Sequence, residues 1–142
     1  MPATPIRAAM FRSALTLALI AIASTSAFAE TLRFKADLVP VAGTTSQASG
    51  SLLADYDTAS KKFTWSGSYK GVGTYATSAS FFGAPGTRRG LVRVPNVDSP
   101  FEGTAILSDP QGEGLLAGEW SIVIRTAGFP KGELRGQLIR GN

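Results

Sequence analysis

The chain is 142 residues long, with 14 Lys/Arg against 10 Asp/Glu for a net charge of +4, and it contains no cysteine and no histidine. Without cysteine there can be no disulfide, thiol nucleophile, thiolate metal site or lipid-modified N-terminus; without histidine there is no imidazole acid–base chemistry or imidazole metal ligand. Two of the basic residues, Arg7 and Arg12, lie in the first 29 residues, and beyond them the balance is twelve against ten, too even to hold a nucleic-acid backbone.

Those first 29 residues read as a signal peptide. Arg7 and Arg12 form a short basic head, Ala14–Ala23 (ALTLALIAIA) is an uncharged apolar run, and Ala27-Phe28-Ala29 ends a small-residue stretch. This layout predicts export with cleavage after Ala29. The apolar run falls short of the roughly 20 residues that span a bilayer, and no second run follows, so no stable membrane insertion is expected after cleavage. Residues 30–142 then form one domain, periplasmic or secreted.

From Glu30 onward the pattern is strand after strand. Leu32, Phe34, Ala36 and Leu38 alternate with polar residues up to Pro40, and a polar turn at Thr44-Thr45-Ser46 leads into Gln47–Tyr56. Phe63, Trp65, Gly67 and Tyr69 carry the same period of two. Thr74–Phe82, Leu91–Val94, Gly103–Leu107, Trp120–Arg125 and Glu133–Ile139 complete eight candidate strands. Only SDPQGEGLLAGEW departs from this: Ser108 or Asp109 can cap a helical turn with Pro110 at its start, Leu115 and Leu116 packing inward and Gly118 ending it. The expected fold is all-β, a single-domain Greek-key-like antiparallel sandwich or barrel of about eight strands.

Chemistry without His or Cys leaves few options. Asp109, Glu113, Glu119 and Glu133 are the carboxylates that could serve glycoside hydrolysis, which needs two of them roughly 5–10 Å apart, and nothing in the spacing brings two together. No Ser-x-x-Lys stands at a helix start, Gly71-Val72-Gly73 is too short for a phosphate loop, and Asp55 and Asp57 alone suit a turn better than a calcium loop. Phe63, Trp65 and Tyr69 share one strand face and read as a core wall, whereas Phe81 and Phe82 are adjacent, so one of them faces outward. Arg88, Arg89 and Arg93 read as a solvated basic turn. In the last segment, TAGFPKGELRGQL, Glu133 and Arg135 are expected to share the strand face opposite Leu134 and to fasten the closing strand by charge.

The order of FKADLVPV (Phe34–Val41), GSLLADYDTASKKFTWSGSYKGV (Gly50–Val72), FFGAPG, FEGTAILSDPQGEGLLAGEW (from Phe101) and TAGFPKGELRGQL resembles the chordin-type (CHRD) domain of exported bacterial proteins and the extracellular chordins. In that family the strand before GAPG reads His-x-His-Gly and the strand before the terminal turn ends His-Thr-Ala. Here those positions hold Ser80, Phe82 and Arg125, so a histidine-based metal site is lost. The resemblance implies a β-domain acting outside the cell membrane.

The expectation is therefore an exported, non-enzymatic β-domain that binds a protein or an envelope polymer, with no cofactor, no metal and no nucleic acid. Its candidate binding residues are Ser80, Phe82, Arg125, Glu133 and Arg135. The alternative is a small-molecule-binding or hydrolytic domain with a pocket near Ser80, Arg125 and Glu133.

Overall fold

The computed structural model describes residues 30–84 and 90–141; the expected signal peptide, 1–29, and the pair Arg88-Arg89 lie outside them. Eight of the strands form one antiparallel path. They are β1 (Thr31–Pro40), β2 (Ser49–Asp57), β3 (Lys62–Lys70), β4 (Ala76–Phe82), β5 (Val92–Arg93), β6 (Phe101–Ile106), β7 (Ser121–Thr126) and β8 (Leu134–Gln137). Their spatial order is β5-β4-β7-β8-β1-β2-β3-β6, and a short β9 (Ile139–Arg140) pairs with β1. The sheet curls into a nearly closed, barrel-like wrap, as the alternating pattern and turn residues predict.

β1 joins the two halves because its ten residues serve different neighbours. Thr31–Leu38 pair with β2, while Val39 and Pro40 pair with Arg135 and Leu134 of β8. Gly136 permits that junction: a Cβ there would stand 2.8 Å from the Asp37 carbonyl oxygen and 3.1 Å from the Ala36 Cβ, closer than side chains pack.

The two ends of the path are held together by rings. Phe63 of β3 meets Phe81 of β4 edge-on at 5.2 Å, Trp65 meets Phe81 at 5.2 Å, and Trp120 lies 5.2 Å from Phe63 and 5.8 Å from Phe81. All four are almost fully buried, and such tilted and edge-on pairs add to their area burial. Phe63 and Trp65 are thus the core wall expected of them, and of the Phe81–Phe82 pair it is Phe81 that turns inward. Neither Trp indole N–H makes a hydrogen bond within the protein.

Between β6 and β7 the Ser-Asp-Pro segment forms helix α1 (Asp109–Leu116) rather than a single turn. Ser108 caps it: its hydroxyl accepts from the Gln111 N–H while the Gln111 side chain accepts from the Ser108 N–H, satisfying two free amide groups at once. Leu115 packs into the core, but Leu116 stays exposed, contrary to expectation. Eight residues offer only one stripe wide enough for a single leucine to reach the core. The Gln111 amide also donates to the Leu91 carbonyl, tying the helix to the β5 flank. Asp57, as expected, serves a turn, accepting from the N–H groups of Ala59 and Ser60; those two bonds hold its carboxyl below the ordinary value.

Candidate functional site

Glu133 and Arg135, expected on one face, are on opposite ones. Leu134 is the register partner of Ile124, yet Glu133 also donates its N–H to the Ile124 carbonyl at 2.8 Å. Two residues of one strand therefore oppose a single residue of its neighbour, which is a β-bulge, and it turns the Glu133 side chain inward beside Leu134. Gly132 enters the bulge at φ 134°, a backbone conformation closed to side-chain-bearing residues. Glu133 is only 1% exposed, whereas Arg135 is exposed on the outer face.

Inside, the carboxylate is clamped by hydroxyls. Thr126 Oγ1 donates to Oε1 and Ser46 Oγ donates to Oε2, each at 2.7 Å. Each hydroxyl in turn accepts a backbone N–H, Phe129 onto Thr126 at 3.2 Å and Ala48 onto Ser46 at 3.1 Å. With its lone pair so engaged, each hydroxyl proton points at the carboxylate, giving two short relays that end on one residue. The Glu133 carbonyl also accepts from Val41 N–H at 2.9 Å. Glu133 thereby fixes the β1–β2 loop to the β7–β8 turn. These two segments wall a hollow of about 440 Å³ lined by Val41–Thr44 and Gly128–Gly132. Sequence reading found Glu133 but not its partners: Thr126 is seven residues away and Ser46 is 87.

The other four expected site residues do come together, on the outer face of β5-β4-β7-β8. Reading across the register, Val39, Arg135, Val123, Ser80 and Arg93 form one row over five strands. Phe82, which pairs with Ser121, lies one step along β4, and the Arg125 guanidinium sits over its ring at 5.8 Å from the centroid. Arg125 itself pairs with Ser78, so its side chain runs along the strand past the Ser80–Val123 row to reach Phe82. A guanidinium held over a ring face at this distance keeps its N–H groups free for other partners. Arg93, read from sequence as part of a solvated turn, is the third cation of this face. Among the described residues the ion pairs are Arg33–Asp55 and Lys61–Asp109, and none of Arg93, Arg125 and Arg135 has a carboxylate partner. On β1 the outward residue two before Val39 is Asp37, also without an ion pair.

Of the carboxylates weighed for hydrolysis, Asp109 and Glu113 come together one turn apart on the exposed side of α1, and Glu133 is remote from both. Asp109 pairs with Lys61, and Glu113 and Glu119 are exposed on or after α1, before β7 begins. Glu133 stands beside Thr126 at the far end of β7, about 20 Å of strand away. No group of three or more Asp/Glu able to hold a metal ion occurs among the described residues.

The family model for the CHRD domain matches residues 33–138, which takes in every strand from β1 to β8 and both the clamp and the arginine face. The chain belongs to the CHRD domain family. No curated protein and no solved structure matches it. Within this CHRD domain the positions for which the resemblance implied histidines, Ser80, Phe82 and Arg125, fall on one outer patch that carries a hydroxyl, a ring and a guanidinium.

Proposed function

We propose that this CHRD domain is an exported, non-enzymatic binding module of the periplasm or extracellular space, whose partner is a polymer of the cell envelope. The observation that carries the reading is the outer face of β5-β4-β7-β8. It sets Arg125 by Phe82 beside Ser80 and Arg135, cationic groups that have no ion-pair partner among the described residues. A fold can leave single surface charges unpaired at little consequence, but three arginines on one sheet face, with Asp37 at the β1 margin the nearby acid and no ion pair formed to it, are arranged for an outside partner. The clamp supports the non-enzymatic part. Glu133 is the buried carboxylate of the domain, and both its oxygens are taken by hydroxyls that anchor loops. The alternative of a small-molecule or hydrolytic pocket shared by Ser80, Arg125 and Glu133 loses support, because the bulge sends Glu133 to the other side of the sheet.

The reading is tested by sedimenting purified protein with isolated envelope material. Wild type is expected to co-sediment, and Arg125→Ala with Arg135→Ala to remain in solution with an unshifted unfolding midpoint. Equal co-sedimentation of the variant rejects the arginine face as the binding surface.

A further inference from the structure

Resting on that reading of the outer face, we infer that the polymer is a linear acidic polysaccharide whose repeating carboxylates are met separately by Arg93, Arg125 and Arg135. The spacing of the cations is the first argument. Arg93 on β5 and Arg135 on β8 stand at opposite ends of the row through Ser80 and Val123, three strand spacings or about 14 Å apart at the backbone. Arg125 is drawn along β7 toward Phe82 rather than toward either of them. The three charges are therefore laid out along a surface instead of converging on one point, which suits a chain with repeating anions over a lone phosphate.

The groups between the arginines are the second argument. Ser78 and Ser80 share this face, half-buried, so hydroxyls stand on the ground between the charges, while Ser121 is buried and the Gln137 amide donates to the Gly118 carbonyl. Each hydroxyl both donates and accepts, matching the hydroxyls of a sugar ring, while arginine forks match carboxylates. Single-stranded nucleic acid, the other common linear polyanion, is held by bases stacked on open aromatic rings. The ring on this face, Phe82, is a single half-buried one with the Arg125 guanidinium over it at 5.8 Å, which offers no row of open stacking platforms. A lipid surface would need a cluster of exposed apolar side chains to insert; on this row the exposed one is Val39, a single small side chain at the β1 margin beside Arg135, and Tyr75, Ile106 and Leu116 lie on a loop, an edge strand and the helix.

The experiment is native electrophoresis of the purified protein through gels holding polygalacturonate, a neutral linear glucan, or neither. The wild type is expected to be retarded by polygalacturonate alone, and the retardation should vanish at about 0.5 M salt, where the screening length is only a few ångströms. Arg93→Gln and Arg135→Gln should each weaken binding about two- to fivefold, the scale of one exposed ion pair, and the double variant should migrate as if no polymer were present. Both side chains are exposed and unpaired, so the midpoint of unfolding should not move. Four results would overturn the inference. Equal retardation by the neutral glucan rejects the acidic class; if Arg93→Gln/Arg135→Gln still abolishes that retardation, the face survives. Retardation by polygalacturonate unchanged in the double variant rejects the face itself. Release from polygalacturonate by an equal mass of single-stranded DNA, or no retardation by polygalacturonate at all, rejects the polysaccharide.

Discussion

Removing the Glu133 carboxylate tests whether one buried acid holds two loops to the closing strand. In Glu133→Ala the hydroxyls of Ser46 and Thr126 lose their acceptor; Thr126 is buried where water does not readily replace it, and Ser46 is half-buried. A hydrogen bond to a charged group contributes about 1.5–3 kcal/mol, so two give an upper range of about 3–6 kcal/mol. The substitution also removes a group whose burial opposes folding, which brings the expected loss to about 3 kcal/mol. In urea, with a slope of about 1–3 kcal/mol per molar, that lowers the midpoint by about 1–3 M. Glu133→Gln keeps the shape but sets an N–H₂ group against a hydroxyl whose proton already points inward, so about half that loss is expected. Thr126→Val removes one relay, and combining it with Glu133→Ala should be less damaging than the sum of the singles by about 1 kcal/mol or more. Arg135→Ala, on the outer face without a partner, should stay within about 0.5 kcal/mol of wild type. Equilibrium unfolding followed by Trp fluorescence reads all of these. A loss below about 1 kcal/mol in Glu133→Ala, or strict additivity with Thr126→Val, would refute the clamp.

Three further outcomes are expected. Trp65→Ala should lower stability by about 3–5 kcal/mol, because it empties the ring cluster with Phe63 and Phe81, and Trp65→Phe should lose far less, since it also deletes an N–H that has no acceptor; equal losses in denaturation would contradict this account. Burial, and after it Asp98, raise the Tyr69 hydroxyl above the ordinary tyrosine value, and that hydroxyl donates to the Val97 carbonyl. The folded state therefore keeps a proton that the unfolded chain releases, so the contribution is complete below about pH 10 and is lost as pH rises through the folded value. Tyr69→Phe should flatten the urea midpoint over that alkaline window, and an unchanged slope would refute the assignment. N-terminal sequencing of protein recovered from the periplasm or medium should begin at Glu30, whereas a chain still starting near Met1 would reject cleavage after Ala29.

Amino-acid order alone determined what depends on nearest neighbours. Alternation at Leu32–Leu38 and Phe63–Tyr69 set strand and inward face together, because side chains on a strand change sides at every residue. Ser108 and Pro110 announced a helix start for the same local reason, and the ordered motifs from Phe34 to Leu138 marked the family. At the last strand this logic failed. Alternation counted from Leu134 puts Glu133 outside with Arg135, but a bulge inserts one residue against Ile124 and reverses the side. No rule of sequence spacing anticipates that, since it depends on where β7 and the β1–β2 loop arrive. Ser46 became the partner of Glu133 only because a polar turn 87 residues earlier closes over the same end of the barrel. The arginine face has the same origin. Arg125 and Arg135 lie on consecutive strands, but Arg93 comes before β6, α1 and β7, and it joins their surface through the register that carries Ser80 against both Arg93 and Val123. Periodicity fixes which way a side chain points along its own strand; which strands become neighbours is set by burial of the Phe63, Trp65, Phe81 and Trp120 cluster, an interaction shared by the whole chain and written in no single segment of it.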